Sequence, residues 1–139
     1  MTGRQSTGML QPPMARILIV DDDPAILRAL RGYLERSGFT VIEAAEAARA
    51  LELAVGDPPP DAIVSDVRMP GQSGLDFYRE LAVRAPALSH RVVFLTGANR
   101  DESVHRDIEQ LGVPLLGKLD DLSIVVDAVR IALLRPPRP

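Results

Sequence analysis

Five short runs of aliphatic and β-branched residues punctuate the chain: ARILIV (15–20), TVIEA (40–44), DAIVS (61–65), RVVFLT (91–96) and VPLL near Val113. Each is apolar nearly throughout, which predicts strands buried on both faces. Between them the apolar residues return at helical spacing. Ile26, Leu27, Leu30 and Leu34 mark one face of a helix that starts at Pro24, a residue suited to the first helical position, and stops at Gly38. Further helices are predicted from about Glu46, from about Ser73 to Arg84, from about Arg100 to Gln110 and from about Asp120 to Leu134. Strands alternating with helices predict an α/β fold, a doubly wound parallel sheet with helices on both faces. The folded unit is expected over residues 15–134. Residues 1–14, polar and proline-ended, and the closing RPPRP of 135–139 are expected to be tails or pieces of linker.

Composition narrows the functions available. The 139 residues are 46% hydrophobic and 25% charged, with a formal net charge of −3, so there is no electrostatic case for direct binding of nucleic acid. Cysteine is absent, which excludes disulfides and thiolate metal sites and suits a reducing cytoplasm. No apolar run is long enough to span a bilayer, and MTGRQSTGMLQPP lacks the apolar middle of a secretory signal. A cytoplasmic protein with no membrane role is expected.

In doubly wound sheets ligands bind beyond the carboxyl ends of the strands, so the residues that follow each strand belong together. Asp21, Asp22 and Asp23 follow the first, Asp66 the third, Thr96 and Gly97 the fourth, and Lys118 the fifth. Adjacent carboxylates repel one another unless a cation, hydrogen bonds or open water relieves them. Oxygen ligands of this kind suit Mg²⁺, which is commonly shared between protein carboxylates and phosphate. An arriving phosphoryl group would also meet a hydroxyl and an ammonium. Positive charge here comes from fifteen arginines and one lysine, and the lysine stands where a phosphoryl contact is wanted. Asp23, directly before Pro24, is better explained as a helix N-cap than as a metal ligand. His90 and His105 have no partners at metal or acid–base spacing and are expected on the surface.

The segments ILIVDDDP, SDVRMPGQSGLD, VVFLTG and GKL resemble, in order and separation, the receiver domain of two-component response regulators. That resemblance implies a flavodoxin-like sheet of five parallel strands in the order 2-1-3-4-5 with five helices. It also implies transfer of a phosphoryl group from a phosphohistidine on a sensor histidine kinase or histidine phosphotransfer protein. Asp66 matches the phosphoacceptor, a carboxylate that becomes an acyl phosphate. Asp22 matches the main Mg²⁺ ligand, Asp21 a neighbour acting through water, Asp66 the second protein ligand and Arg68 the residue that offers its backbone carbonyl. Thr96 resembles the switch hydroxyl, Lys118 the lysine of the family and Gly97 the small residue that leaves the phosphoryl group room. On this resemblance the chain is a switch rather than an enzyme, with only self-catalysed phosphoryl transfer and autodephosphorylation. The segment from Ala87 to Leu119 is similar to receivers at the C-terminal end of hybrid histidine kinases.

Three positions depart from the family pattern. Leu119 replaces the proline after the lysine, which implies a trans peptide there. Leu115 stands where an aromatic switch residue is usual, so a signal would travel through the Thr96 loop and the following helix. Ala98 offers nothing to orient an attacking water, which implies slow hydrolysis. A second function is an interaction module independent of phosphorylation, supported by Leu115 and Leu119. A Mg²⁺-dependent phosphohydrolase is disfavoured because no substrate cap or general acid is evident. The face formed by the helix near 100–110, the last strand and the strongly apolar last helix is a candidate dimer surface. No output domain is read in these residues, so the chain is either a stand-alone receiver or part of something longer. Without a cation the aspartates should be strained, and Asp22→Asn is expected to raise the metal-free melting temperature.

Overall fold

The computed structural model describes residues 15–69, 72–97, 102–118 and 121–135. Its strands are β1 (Arg16–Val20), β2 (Thr40–Ala44), β3 (Ala62–Asp66), β4 (Val92–Thr96) and β5 (Leu115–Gly117). Its helices are α1 (Pro24–Arg36), α2 (Ala47–Ala54), α3 (Gly74–Arg84), α4 (Pro86–Ser89), α5 (Glu102–Glu109) and α6 (Leu122–Leu134). The strands form one parallel sheet in the order β2-β1-β3-β4-β5, as the resemblance implies.

Every residue of β3 and β4 is buried because both faces of the sheet are covered. On one face Leu18, Val20, Ile63 and Phe94 meet α2, α3 and α5 through Ala50, Phe77, Leu81 and Ile108. On the other, Ile17, Ile19, Val64 and Leu95 meet α1 and α6 through Leu30, Leu34, Val126 and Val129. Two separate apolar layers therefore hold the strands, and their carboxyl ends reach water at one edge.

Six helices stand among the described residues where five were expected. The extra one is a single turn, Pro86–Ser89. Ala85, held out of the helical region as the residue before a proline is, closes α3, and Pro86 opens a new turn with its fixed φ. Ser89 seals that turn by donating from Oγ to the Pro86 carbonyl at 2.7 Å. β5 begins later than VPLL suggested, since Pro114 has no N–H to give a ladder and contributes only its carbonyl, which accepts from Phe94 at 2.9 Å.

Gly74 sets how closely α3 can approach the end of β3. A Cβ at this position would lie 2.5 Å from the Asp66 carbonyl oxygen, 3.0 Å from Val67 Cα and 3.1 Å from the Phe94 ring. Two of those neighbours are backbone and cannot swing aside. Gly74→Ala is expected to destabilise by about 1–2 kcal/mol through overpacking, which a melting curve would show as a fall of about 5 °C. An unchanged midpoint would mean that the start of α3 yields freely.

Candidate functional site

The site is assembled where β1, β3, β4 and β5 end. Asp21 extends the ladder of β1 by one bond, its N–H donating to the Ala44 carbonyl at 3.1 Å, and this keeps the residue 1% exposed. Asp22 turns out of the sheet and is exposed. Asp23 caps α1, its Oδ1 accepting from the Ala25 N–H at 2.9 Å, and its own N–H donates to Asp21 Oδ1 at 2.9 Å. Asp66 is the last residue of β3, is 5% exposed, and accepts at Oδ1 from the Arg68 N–H at 3.2 Å.

The register of the sheet brings the remaining groups in. Asp66 pairs with Leu95, so Thr96 stands one residue further out, and Thr96 in turn pairs with Gly117, which leaves Lys118 at the mouth. The Lys118 N–H donates to the Thr96 carbonyl at 2.8 Å and anchors the loop that carries the ammonium. Thr96 itself is buried, and Gly97 fronts open space, with no atom near the position of a Cβ.

Lys118 joins the two buried acids. Its Nζ hydrogen-bonds Asp66 Oδ2 at 2.9 Å and forms an ion pair with Asp21 Oδ2 at 2.8 Å. The second contact lacks hydrogen-bond geometry, so Asp21 Oδ2 is a buried oxygen with no hydrogen-bond partner. Burial pushes the Asp21 carboxyl above the usual carboxylate range, and the charge of Asp66 adds to the rise; Lys118 and the Asp23 amide offset it only in part. Burial alone would lower the Lys118 ammonium, but its contacts with Asp21 and Asp66 outweigh that and hold it above the ordinary lysine value.

Carboxylate oxygens of Asp21, Asp22 and Asp66 come within 4.8 Å of one another, the one such group among the described residues. One ammonium does not balance three carboxylates. An all-oxygen donor set with surplus negative charge and an orphaned buried oxygen fits a hard divalent cation such as Mg²⁺.

The structure thus brings Asp21, Asp22, Asp66, Thr96 and Lys118 to one edge of the sheet, with Arg68 joined through its amide. Leu115 is half-buried against the core and pairs with Phe94, which places no aromatic ring at that position. His90 and His105 are half-buried and lie outside the acidic group. Ala98 and Leu119 lie outside the described residues. Two features escaped the sequence: the clearance at Gly74, signalled only by a glycine where the helix begins, and the bridging of both acids by Lys118.

Acids, a threonine and a lysine gathered at the carboxyl edge of a 2-1-3-4-5 parallel sheet have the arrangement of a receiver-type signalling domain. The chain belongs to that family, since residues 17–127 match the response regulator receiver domain. It is 35% identical over 127 residues to the transcriptional regulatory protein FixJ of Azorhizobium caulinodans, covering 89% of this chain and 57% of that protein. It is 38% identical over 88 residues to the transcriptional regulatory protein AruR of Pseudomonas aeruginosa, covering 60% of this chain and 35% of that one. The chain therefore spans little more than half of such relatives at most. Among solved structures, a LuxR-family two-component response regulator from Aurantimonas superposes with a TM-score of 0.77 at 28% identity, over 89% of this chain and 88% of that one. A receiver domain protein from Clostridium thermocellum gives 0.75 at 26% identity, over 86% and 94%. Receiver domains act as signalling switches rather than as enzymes on outside substrates, and no helix among the described residues is long and apolar enough to cross a membrane.

Proposed function

We propose that this domain is a phosphoacceptor switch in which Asp66 takes a phosphoryl group from a phosphohistidine on a sensor histidine kinase or histidine phosphotransfer protein. Mg²⁺ would be held by Asp21, Asp22, Asp66 and the Arg68 carbonyl, and would neutralise charge on the phosphoryl oxygens. The observation that carries the reading is the Lys118 ammonium bound to both buried carboxylates, because it sets a positive charge against the Asp66 oxygen at which a phosphoryl group would arrive. An Asp66 oxygen forms the new O–P bond while the donor's N–P bond breaks, and the imidazole leaves with the bonding pair. The Lys118 ammonium can then turn from Asp66 toward a phosphoryl oxygen, and the Thr96 hydroxyl supplies a further donor.

A cytoplasmic site of action follows from that donor. With Leu115 in place of a ring, the signal is carried by the Thr96 loop and α5. The exposed Ile124, Ile131 and Leu134 on α6 support a second copy as one partner of the α5-β5-α6 face. Intact mass after incubation with Mg²⁺ and acetyl phosphate tests the switch. One added phosphoryl group is expected in the wild type and none in Asp66→Asn. No addition, with another receiver labelled in parallel, would replace the switch with an interaction module independent of phosphorylation.

A further inference from the structure

A small cavity of about 130 Å³ lies between α1 and α6, against the carboxyl ends of β4 and β5. Leu30, Leu95 and Val125, all buried, form its inner wall, while half-buried Ile26 and Leu122 and exposed Ala29 mark its open side. Gly117 and Lys118 complete the lining, and Lys118 alone among these residues has a polar side chain. That side chain is turned to the acids, with Nζ 2.9 Å from Asp66 Oδ2 and 2.8 Å from Asp21 Oδ2. The lining thus leaves no hydrogen-bonding side chain for a ligand, and calls for a hydrocarbon group rather than an ion or a polar molecule. An apolar cavity of roughly 150 Å³ can take up benzene, so this one is sized for a single ring.

Resting on the reading of the acids as a Mg²⁺ site, we propose that this cavity is an effector site for a small neutral hydrocarbon ligand, and that the bound ligand holds Lys118 on Asp21 and Asp66 against the metal. Lys118 belongs to both places, since it lines the cavity while its ammonium occupies oxygens that a cation would share. For Mg²⁺ to take Asp21 and Asp66 as ligands, the ammonium must give up part of its contact with them. A ring packed in the cavity touches the Lys118 stem in its present course and loses those contacts when the stem swings away. Occupancy therefore favours the bridged state and disfavours the metal-bound one. The register of the sheet adds a second link. Leu95 precedes Thr96 and pairs with Asp66, and Gly117 pairs with Thr96, so the lining adjoins Asp66, Thr96 and Lys118 at once.

Two titrations of the full chain with benzene as the probe test the assignment. In metal-free buffer, methyl-resolved NMR should show the Leu30, Leu95, Leu122 and Val125 methyls shifting with benzene and making nuclear Overhauser contacts to the ring. Ala29→Leu sets a larger side chain on the open side and should abolish both. Calorimetric titration with Mg²⁺ at saturating benzene should show metal affinity lowered about 5-fold, and Mg²⁺ should lower benzene affinity by the same factor, because such coupling is reciprocal. Lys118→Met should still bind benzene and lose the coupling. Absence of benzene contacts at these methyls would overturn the site. Unchanged Mg²⁺ affinity in the benzene-bound protein, or coupling retained in Lys118→Met, would overturn its role as an effector site. A wild type that binds benzene but takes no Mg²⁺ with or without it would fail the reading of the acids as a metal site, and the effector role with it.

Discussion

Replacing Lys118 with methionine is expected to lower the melting midpoint of the metal-free protein by about 8–12 °C, and Mg²⁺ is expected to return most of that loss. Methionine keeps the apolar stem and removes the ammonium, so packing around the stem changes little. Asp21 and Asp66, 1% and 5% exposed, then face each other with no cation between them. Removing one partner from a buried ion pair costs roughly 3–5 kcal/mol. Asp21 can take up a proton and shed part of this, because its carboxyl is already raised by burial, which leaves about 2–3 kcal/mol, or about 4 °C for each kcal/mol in a domain of this size. A bound divalent cation replaces the missing charge and should restore the wild-type order of stability.

The pH dependence separates this from a packing defect. In the wild type the Lys118 ammonium sits above its ordinary value, so the folded state holds its proton more tightly than the unfolded chain. That contribution is fully present below the unfolded lysine value of about 10.4 and is lost as pH rises through the folded one. Lys118→Met should lack this alkaline step. It should gain stability as pH falls through the raised carboxyl range, where protonation relieves the paired acids. Melting at a series of pH values, with EDTA or Mg²⁺, checks both; equal midpoints of mutant and wild type in EDTA would remove the bridge from the account.

The strands and the acids at their ends were legible in the sequence for one physical reason. A parallel strand covered on both faces must be apolar along its whole length, so the first polar residue after it marks the edge where a ligand can reach. Asp21, Asp66, Thr96 and Lys118 all stand at that boundary. Other features depend on contacts between distant segments. Nothing local shows that a Cβ at Gly74 would meet the Asp66 carbonyl, or that Lys118 reaches two acids at once. The aspartate run itself concealed a difference. Asp21 keeps a ladder bond to Ala44 and is pulled under the surface, while Asp22 turns outward. The metal-free strain expected of Asp22 from the sequence is therefore centred on its neighbour, because an exposed carboxylate is relieved by water and a buried one is not.

Asp21→Asn should consequently separate stability from metal binding. In metal-free buffer we expect a gain of about 1 kcal/mol, seen as about 4 °C in the midpoint, because a neutral amide ends the cost of burying that charge while Oδ1 still accepts from the Asp23 N–H. The gain is held down because Lys118 loses one partner and must turn wholly to Asp66. The sign with pH follows from the direction of the shift. A carboxyl raised in the folded state makes folding take up a proton, so wild-type stability falls as pH rises from the unfolded value through the folded one. The advantage of Asn is therefore largest at neutral pH and vanishes below about pH 3.9, where both side chains are neutral. Mg²⁺ affinity should move the opposite way, by about 10- to 100-fold, equivalent to about 1.4–2.7 kcal/mol, because the variant has one less negative charge to offer the cation. Melting in EDTA and Mg²⁺ titration on the same variant decide the matter together. A destabilised Asp21→Asn that binds Mg²⁺ normally would make the Asp21–Lys118 pair a structural brace and leave Asp22 and Asp66 to hold the cation alone.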